Sequence, residues 1–198
     1  KPIQPPIFQA SGLPSCKDVG FGLNCITSTG QVSYGGSGTP GSANEAQYKD
    51  LISRYAQTNG LEYCMLSALI QKESSFNRLI VSNPPPNQVD PNGTPPSYNV
   101  SFASSGHGIG LAQIFIYKGS TTRSGSEFGI SGQLAVKDLI DPETSIKGGA
   151  HFFGKLVKER KGNLREAYDD YQAGRGGNSK PGTLDKYLDM YNSCKKRG

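Results

Sequence analysis

Residues 61–77 read LEYCMLSALIQKESSFN, and the fold follows from this stretch. Leu61, Tyr63, Cys64, Met65, Leu66, Ala68, Leu69 and Ile70 leave almost no polar face over its first ten residues. A helix apolar all round lies at the centre of its domain, covered by neighbours on every side. Gln71 and Lys72 then bring polarity, as expected where the helix leaves the core. Glu73 follows Ile70 and Leu69 by three and four positions, so helical geometry stacks it on the face they bury. A carboxyl group continuing an apolar stripe near a helix C-terminus has two reasons to keep its proton: desolvation, and the negative end of the helix dipole. That is how a general acid is prepared. The same spacing also suits an ordinary exposed glutamate at a helix end.

Upstream, a helix is predicted over 45–58, capped near Ser42 or Asn44 and ended by Gly60, with Tyr48, Leu51, Ile52 and Tyr55 as its apolar stripe. Before it, residues 1–44 show little helical periodicity and close on GGSGTPGSAN. They read as an extended arm with a flexible linker, and a short hairpin is expected within 19–34. Downstream, NPPPNQVDPNGTPPSYN (83–99) is an insert that cannot be helical. SSGHGIGLAQIF (104–115) follows, where a short helix is expected to begin near Gly110. Further helices are predicted over 131–140, over 142–158 with Pro142 at the first helical position, over 164–171, and over 184–194. The fold class is therefore mainly α: a helical domain over 45–198 around a central helix, behind a loop-rich N-terminal arm.

The 198 residues suit one domain with a sizeable core plus extra chain. No apolar run approaches a membrane span. Lys1 in place of Met fits numbering that starts after a removed export signal. The net charge of +5 gathers in 155–165 and in Lys195, Lys196 and Arg197. A solvated surface with a basic tail is the expected reading, and attraction to an anionic polymer is the alternative. No zinc spacing, phosphate-binding glycine loop or nucleic-acid module is present, so no metal, cofactor or nucleic acid is expected. Four cysteines allow three pairings. Cys16–Cys25, closing a small loop, and Cys64–Cys194, tying the C-terminus to the central helix, are the expected bridges, and they imply an oxidising compartment. The alternative is that Cys64 is a buried thiol.

Four segments in order resemble the catalytic domain of soluble-lytic-transglycosylase-like enzymes, which share the goose-type lysozyme fold. ALIQKESSFN carries Glu73-Ser74 where that family has its catalytic Glu-Ser. GIGLAQI resembles its Gly-Leu-Met-Gln motif at Gly110, Leu111, Ala112 and Gln113. DPETSIKGGAHFF is similar to its Asp-Pro segment, and AYDDYQAGRGG to its Tyr-Asn-Ala-Gly motif at Tyr171, Gln172, Ala173 and Gly174. The resemblance covers about 45–194 and leaves the arm outside. Three residues depart from the family pattern: Ala112 stands for Met, Gln172 for Asn, and His107 for a small residue, where it is expected to project toward the cleft.

The resemblance implies cleavage of the β-1,4 bond between N-acetylmuramic acid and N-acetylglucosamine in peptidoglycan, with a 1,6-anhydro product. Glu73 would be the acid and base. Ser74 and Tyr171 would hold Glu73 or the substrate, and Gly110, Gln113 and Gln172 would bind an acetamido sugar. The rival chemistry is lysozyme-type hydrolysis, which normally needs a second carboxylate, with Asp169 or Asp170 as candidates. A non-catalytic glycan-binding or structural protein on the same fold is the third reading. His151 reads as a helix-surface or packing residue, and Asn92 and Asn99 as loop asparagines. An exported location (periplasm, cell wall or exterior, or a phage virion) is expected, with the arm a candidate for docking to a larger envelope or phage assembly.

Overall fold

The computed structural model describes residues 43–78, 106–117, 120 and 122–197, with side chains from residue 45, and the backbone of 16–18 and 23–25. The chain divides into two compact units, Lys1–Tyr34 and Gly35–Gly198. In the first, strands β1 (Cys16–Asp18) and β2 (Leu23–Cys25) pair antiparallel with Cys16 opposite Cys25. The Cys16–Cys25 bridge, most of the hairpin expected in 19–34, and the 83–99 insert lie outside the described residues.

The second unit opens with helix α1 (Ala43–Thr58), whose Tyr48, Ile52 and Ala56 recur every fourth residue and are buried. Gly60 ends it in the left-handed region at φ 69°, letting the Leu61 amide reach back to the Ala56 carbonyl at 2.9 Å. Helix α2 (Tyr63–Ser74) follows almost at once, and every residue from Leu66 to Gln71 is buried. The apolar-all-round stretch is thus a central helix, packed most extensively on the C-terminal helix α6 (Thr183–Arg197) and also on α1. Cys64 and Cys194 are bonded, with Cα atoms 5.5 Å apart, which removes the buried-thiol alternative.

Helix α4 (Pro142–Glu159) starts where Asp141 accepts the Thr144 amide at 2.8 Å, ahead of Pro142. Its Ile146, Ala150, Phe153 and Leu156 complete the helical core, together with Ala167 and Tyr168 of helix α5 (Leu164–Ala173) and Tyr187 of α6. A second, smaller cluster lies under two short strand pairs and the turns that join them. Strands β3 (His107–Ile109) and β4 (Ile114–Ile116) form one hairpin, and β5 (Thr122–Ser124) pairs with β6 (Gln133–Ala135) around a 3₁₀ turn at Ser126–Phe128. The half-buried Phe152 of α4 packs against both clusters.

Two expectations are corrected. The segment near Gly110 is a hairpin turn rather than a short helix. Gly110 (φ 75°) and Gln113 (φ 48°) both take left-handed backbone, incompatible with a right-handed helix, and β-branched Ile109, Ile114 and Ile116 suit the flanking strands. The helix predicted over 131–140 shrinks to α3 (Val136–Leu139), because residues 133–135 pair with β5. The Asp138 carboxylate accepts the Ala135 amide at 2.8 Å and starts α3 only there.

Candidate active site

The last turn of α2 delivers Glu73 to the wall of a cleft of about 750 Å³, a size typical of ligand sites. The chain leaves the helix abruptly. Ser75 (φ 51°) and Phe76 (φ 61°) are consecutive left-handed non-glycine residues, a costly arrangement offset by burial of the Phe76 ring. Glu73 therefore sits at the C-terminal end of α2 without continuing into solvent-exposed helix.

Glu73 keeps a little surface accessible, while protein crowds its carboxyl group. Its Oε1 accepts a hydrogen bond from the Tyr168 hydroxyl at 2.7 Å and another from the Gln172 side-chain amide. Burial raises the Glu73 pKa above the ordinary carboxylate value. The Tyr168 hydrogen bond, the charge of Lys72 and the Gln172 hydrogen bond pull it down without cancelling that rise. A carboxyl group in this setting holds its proton to higher pH than a free one, and keeps two donors ready for the anion once the proton has gone.

Tyr168 is fully buried in α5 and stacks flat on Tyr187 of α6, ring centroids 4.3 Å apart and planes within 7°. Burial and the Glu73 charge push its own pKa far up, so it remains a hydrogen-bond donor. Tyr187 in turn donates to the Met65 carbonyl at 3.3 Å. Glu73, Tyr168, Tyr187 and Met65 thus link α2, α5 and α6 in a closed loop. Tyr168 escaped the sequence reading because it looks like a core aromatic. Its spacing carried the signal, since residues 168, 171 and 172 share one helical face.

The other sequence-derived residues fall into two sets. Gln172 reaches Glu73, and Gln113 and Tyr171 line the same cleft. The Tyr171 hydroxyl donates to the Ala112 carbonyl at 2.6 Å, not to Glu73, and ties α5 to the β3–β4 turn. The Gln113 side-chain amide donates to the Gly110 carbonyl at 2.9 Å and lies over Gly108, the glycine that forms the cleft wall. Gly110 itself is buried beneath the turn, where an added Cβ would sit 2.0 Å from the Leu139 carbonyl oxygen. The Ser74 hydroxyl is buried and donates to Ile70 O at 2.9 Å in its own helix. His107 and Ala112 are buried too, so neither side chain projects into the cleft. His151 of α4 packs against Gly129.

Asp170 borders the cleft, but its carboxylate is already engaged. Arg160 grips both oxygens, at 2.6 and 2.9 Å, and the Gly176 amide adds a third bond. The Arg160 hydrogen bonds hold its pKa below the ordinary value, although the group lies close beneath the surface. Asp169 accepts from the amide and hydroxyl of Ser179. Both carboxylates fix the 174–179 loop. A third acid, Glu127, lines the cleft and was not singled out from the sequence. Among the described residues no three His, Cys, Asp or Glu side chains are grouped to hold a metal ion, and no helix is long and apolar enough to cross a membrane.

The family model described as the transglycosylase SLT domain matches residues 50–193. Among solved structures, the chain is similar to an inactive mutant of the lytic transglycosylase Slt from Pseudomonas aeruginosa. The identity is 20% and the TM-score 0.43, over 73% of this chain and 20% of that one. The chain thus spans about a fifth of that protein's length.

Proposed function

Because the chain belongs to the transglycosylase SLT domain family, matched over 50–193, we propose that residues 45–198 form a lytic transglycosylase domain. It would cleave the β-1,4 bond between N-acetylmuramic acid and N-acetylglucosamine in peptidoglycan, acting in the cell envelope. One observation carries the reading: Glu73, its pKa raised by desolvation of the carboxyl group, faces an open cleft and accepts hydrogen bonds from Tyr168 and Gln172.

The protonated carboxyl gives its proton to the oxygen of the leaving sugar as the bond to C1 of the muramic sugar breaks. The resulting carboxylate, steadied by its two donors, takes the proton from the C6 hydroxyl of that sugar. The C6 oxygen bonds to C1, and a 1,6-anhydro ring closes without water. Intramolecular attack depends on positioning more than on a second carboxylate. Asp170, locked by Arg160, is poorly placed to activate water, which weighs against hydrolysis.

The test is to incubate the protein and its Glu73→Gln variant with purified peptidoglycan and to weigh the released muropeptides. Anhydro products that disappear in the variant are expected. Reducing-end products would move the reaction to hydrolysis, and products undiminished by Glu73→Gln would remove Glu73 from the chemistry.

A further inference from the structure

At one wall of the cleft, two large apolar side chains stand in solvent: Phe115 is 40% exposed and Tyr117 59%. Neither is loosely placed. The Phe115 ring lies over Gly106, where an added Cβ would be 2.2 Å from it, so only glycine admits the ring there. Tyr117 meets Phe115 edge-on, with centroids 5.7 Å apart. Behind them the Arg123 guanidinium is inserted between Tyr117 and Phe128, 4.7 Å from the centre of each ring. It donates to the Phe115 carbonyl and to Glu127 Oε2, both at 2.6 Å. The Arg123 side chain is only 11% exposed, so it acts as a clamp and not as a free cation. Glu127 is 44% exposed, and among the described residues its Oε1 receives no hydrogen bond. The Tyr117 hydroxyl likewise has no partner among the described residues.

A fixed aromatic face beside an open carboxylate oxygen suits a pyranose ring. The axial C–H face of the sugar covers the ring apolar-to-apolar, and an equatorial hydroxyl donates to the carboxylate as a charge-assisted hydrogen bond. An anionic ligand is disfavoured by Glu127. A purely apolar one would leave that carboxylate desolvated without a donor. We propose that Phe115, Tyr117 and Glu127, clamped by Arg123, form a glycan subsite that holds an uncharged sugar ring of the bound strand away from Glu73. The inference rests on the glycan-cleaving reading above and adds where part of the strand is held. Binding energy gathered there would help fix the scissile bond against Glu73.

The probe is the β-1,4-linked N-acetylglucosamine pentamer, titrated calorimetrically into the Glu73→Gln protein so that no turnover occurs. Adding Tyr117→Ala is expected to weaken binding about tenfold, and Tyr117→Phe to restore most of it by returning the stacking face. Glu127→Gln, which preserves shape, is expected to weaken binding by a smaller factor. The melting temperature of each variant checks folding, which an exposed Tyr117 should scarcely affect. Equal affinity of the Glu73→Gln and Glu73→Gln/Tyr117→Ala proteins overturns the subsite and leaves the proposed reaction standing. Failure of the Glu73→Gln protein to bind the pentamer also overturns it, and if the parent protein releases nothing from peptidoglycan, the proposed reaction falls as well.

Discussion

At residue scale the proposed chemistry turns on one proton. Burial raises the Glu73 pKa in the folded chain. The folded state therefore binds more protons than the unfolded state between the ordinary carboxylate value and the raised one. Stability from this group is fully present below the ordinary value and is lost as pH rises through the raised one. Replacing Glu73 with Gln keeps an oxygen to accept from Tyr168 and Gln172 but removes the buried charge. Glu73→Gln is thus expected to melt higher than the parent at neutral pH, by about 2–4 °C for each kcal/mol relieved, and the two curves should converge in acid. A constant difference across pH would mean that the charge is not what costs stability. Tyr168→Phe tests the opposing pull. It keeps the ring stacked on Tyr187 and deletes the donor that lowers the Glu73 pKa. The alkaline limb of the kcat/KM profile should move to higher pH, because Glu73 stays protonated further. An unmoved limb would reduce Tyr168 to packing.

At the scale of elements, the cleft depends on how closely α4 approaches the β3–β4 turn. Gly149 makes that approach feasible: a Cβ there would lie 2.4 Å from the Ala112 Cβ, and both atoms are fixed to backbone. The small residue at 112 is therefore matched to the close approach of α4. Gly149→Ala must push the turn outward, straining the bond from Tyr171 to the Ala112 carbonyl. The expected cost is about 1–3 kcal/mol of stability, with a fall in kcat as the Gln113 wall shifts. A substitution melting like the parent would show that the turn yields without cost. These elements were only partly legible in the sequence. Long periodic runs such as 45–58 and 142–158 were readable because repeated burial every third or fourth residue outweighs local irregularity. The 107–116 hairpin was not, since its strands are three residues each and its turn carries left-handed Gln113 as well as Gly110. Glu73 showed itself by continuing an apolar stripe. Tyr168 did not, because its partner Glu73 lies 95 residues away. Arg123 and Glu127 did not, because their contacts with each other and with Phe115, Tyr117 and Phe128 arise only once the short strands fold.

Across the whole molecule, α6 closes the structure back onto α2, and the Cys64–Cys194 bridge spans 130 residues to hold it there. Lys195 reinforces the same seam by binding Glu62 at 2.7 Å, but that pair is exposed and contributes little. The seam reaches the candidate site through Tyr187, whose ring supports Tyr168 and so the hydrogen bond to Glu73. Cutting the covalent tie should therefore cost both stability and catalysis. On a chain-entropy account a loop of this length is worth about 5 kcal/mol, a large fraction of the 5–15 kcal/mol that holds a typical domain together. Cys64→Ala/Cys194→Ala, or reduction of the parent, is expected to lower the denaturation midpoint strongly. Amide exchange should rise first along α6, at temperatures where α1 and α4 remain protected. Activity should fall in step with α6 protection rather than with global unfolding, because Tyr168 loses its stacking partner before the core opens. If activity instead survives until α1 and α4 exchange, the tyrosine stack does not need α6 held in place, and the bridge serves stability alone.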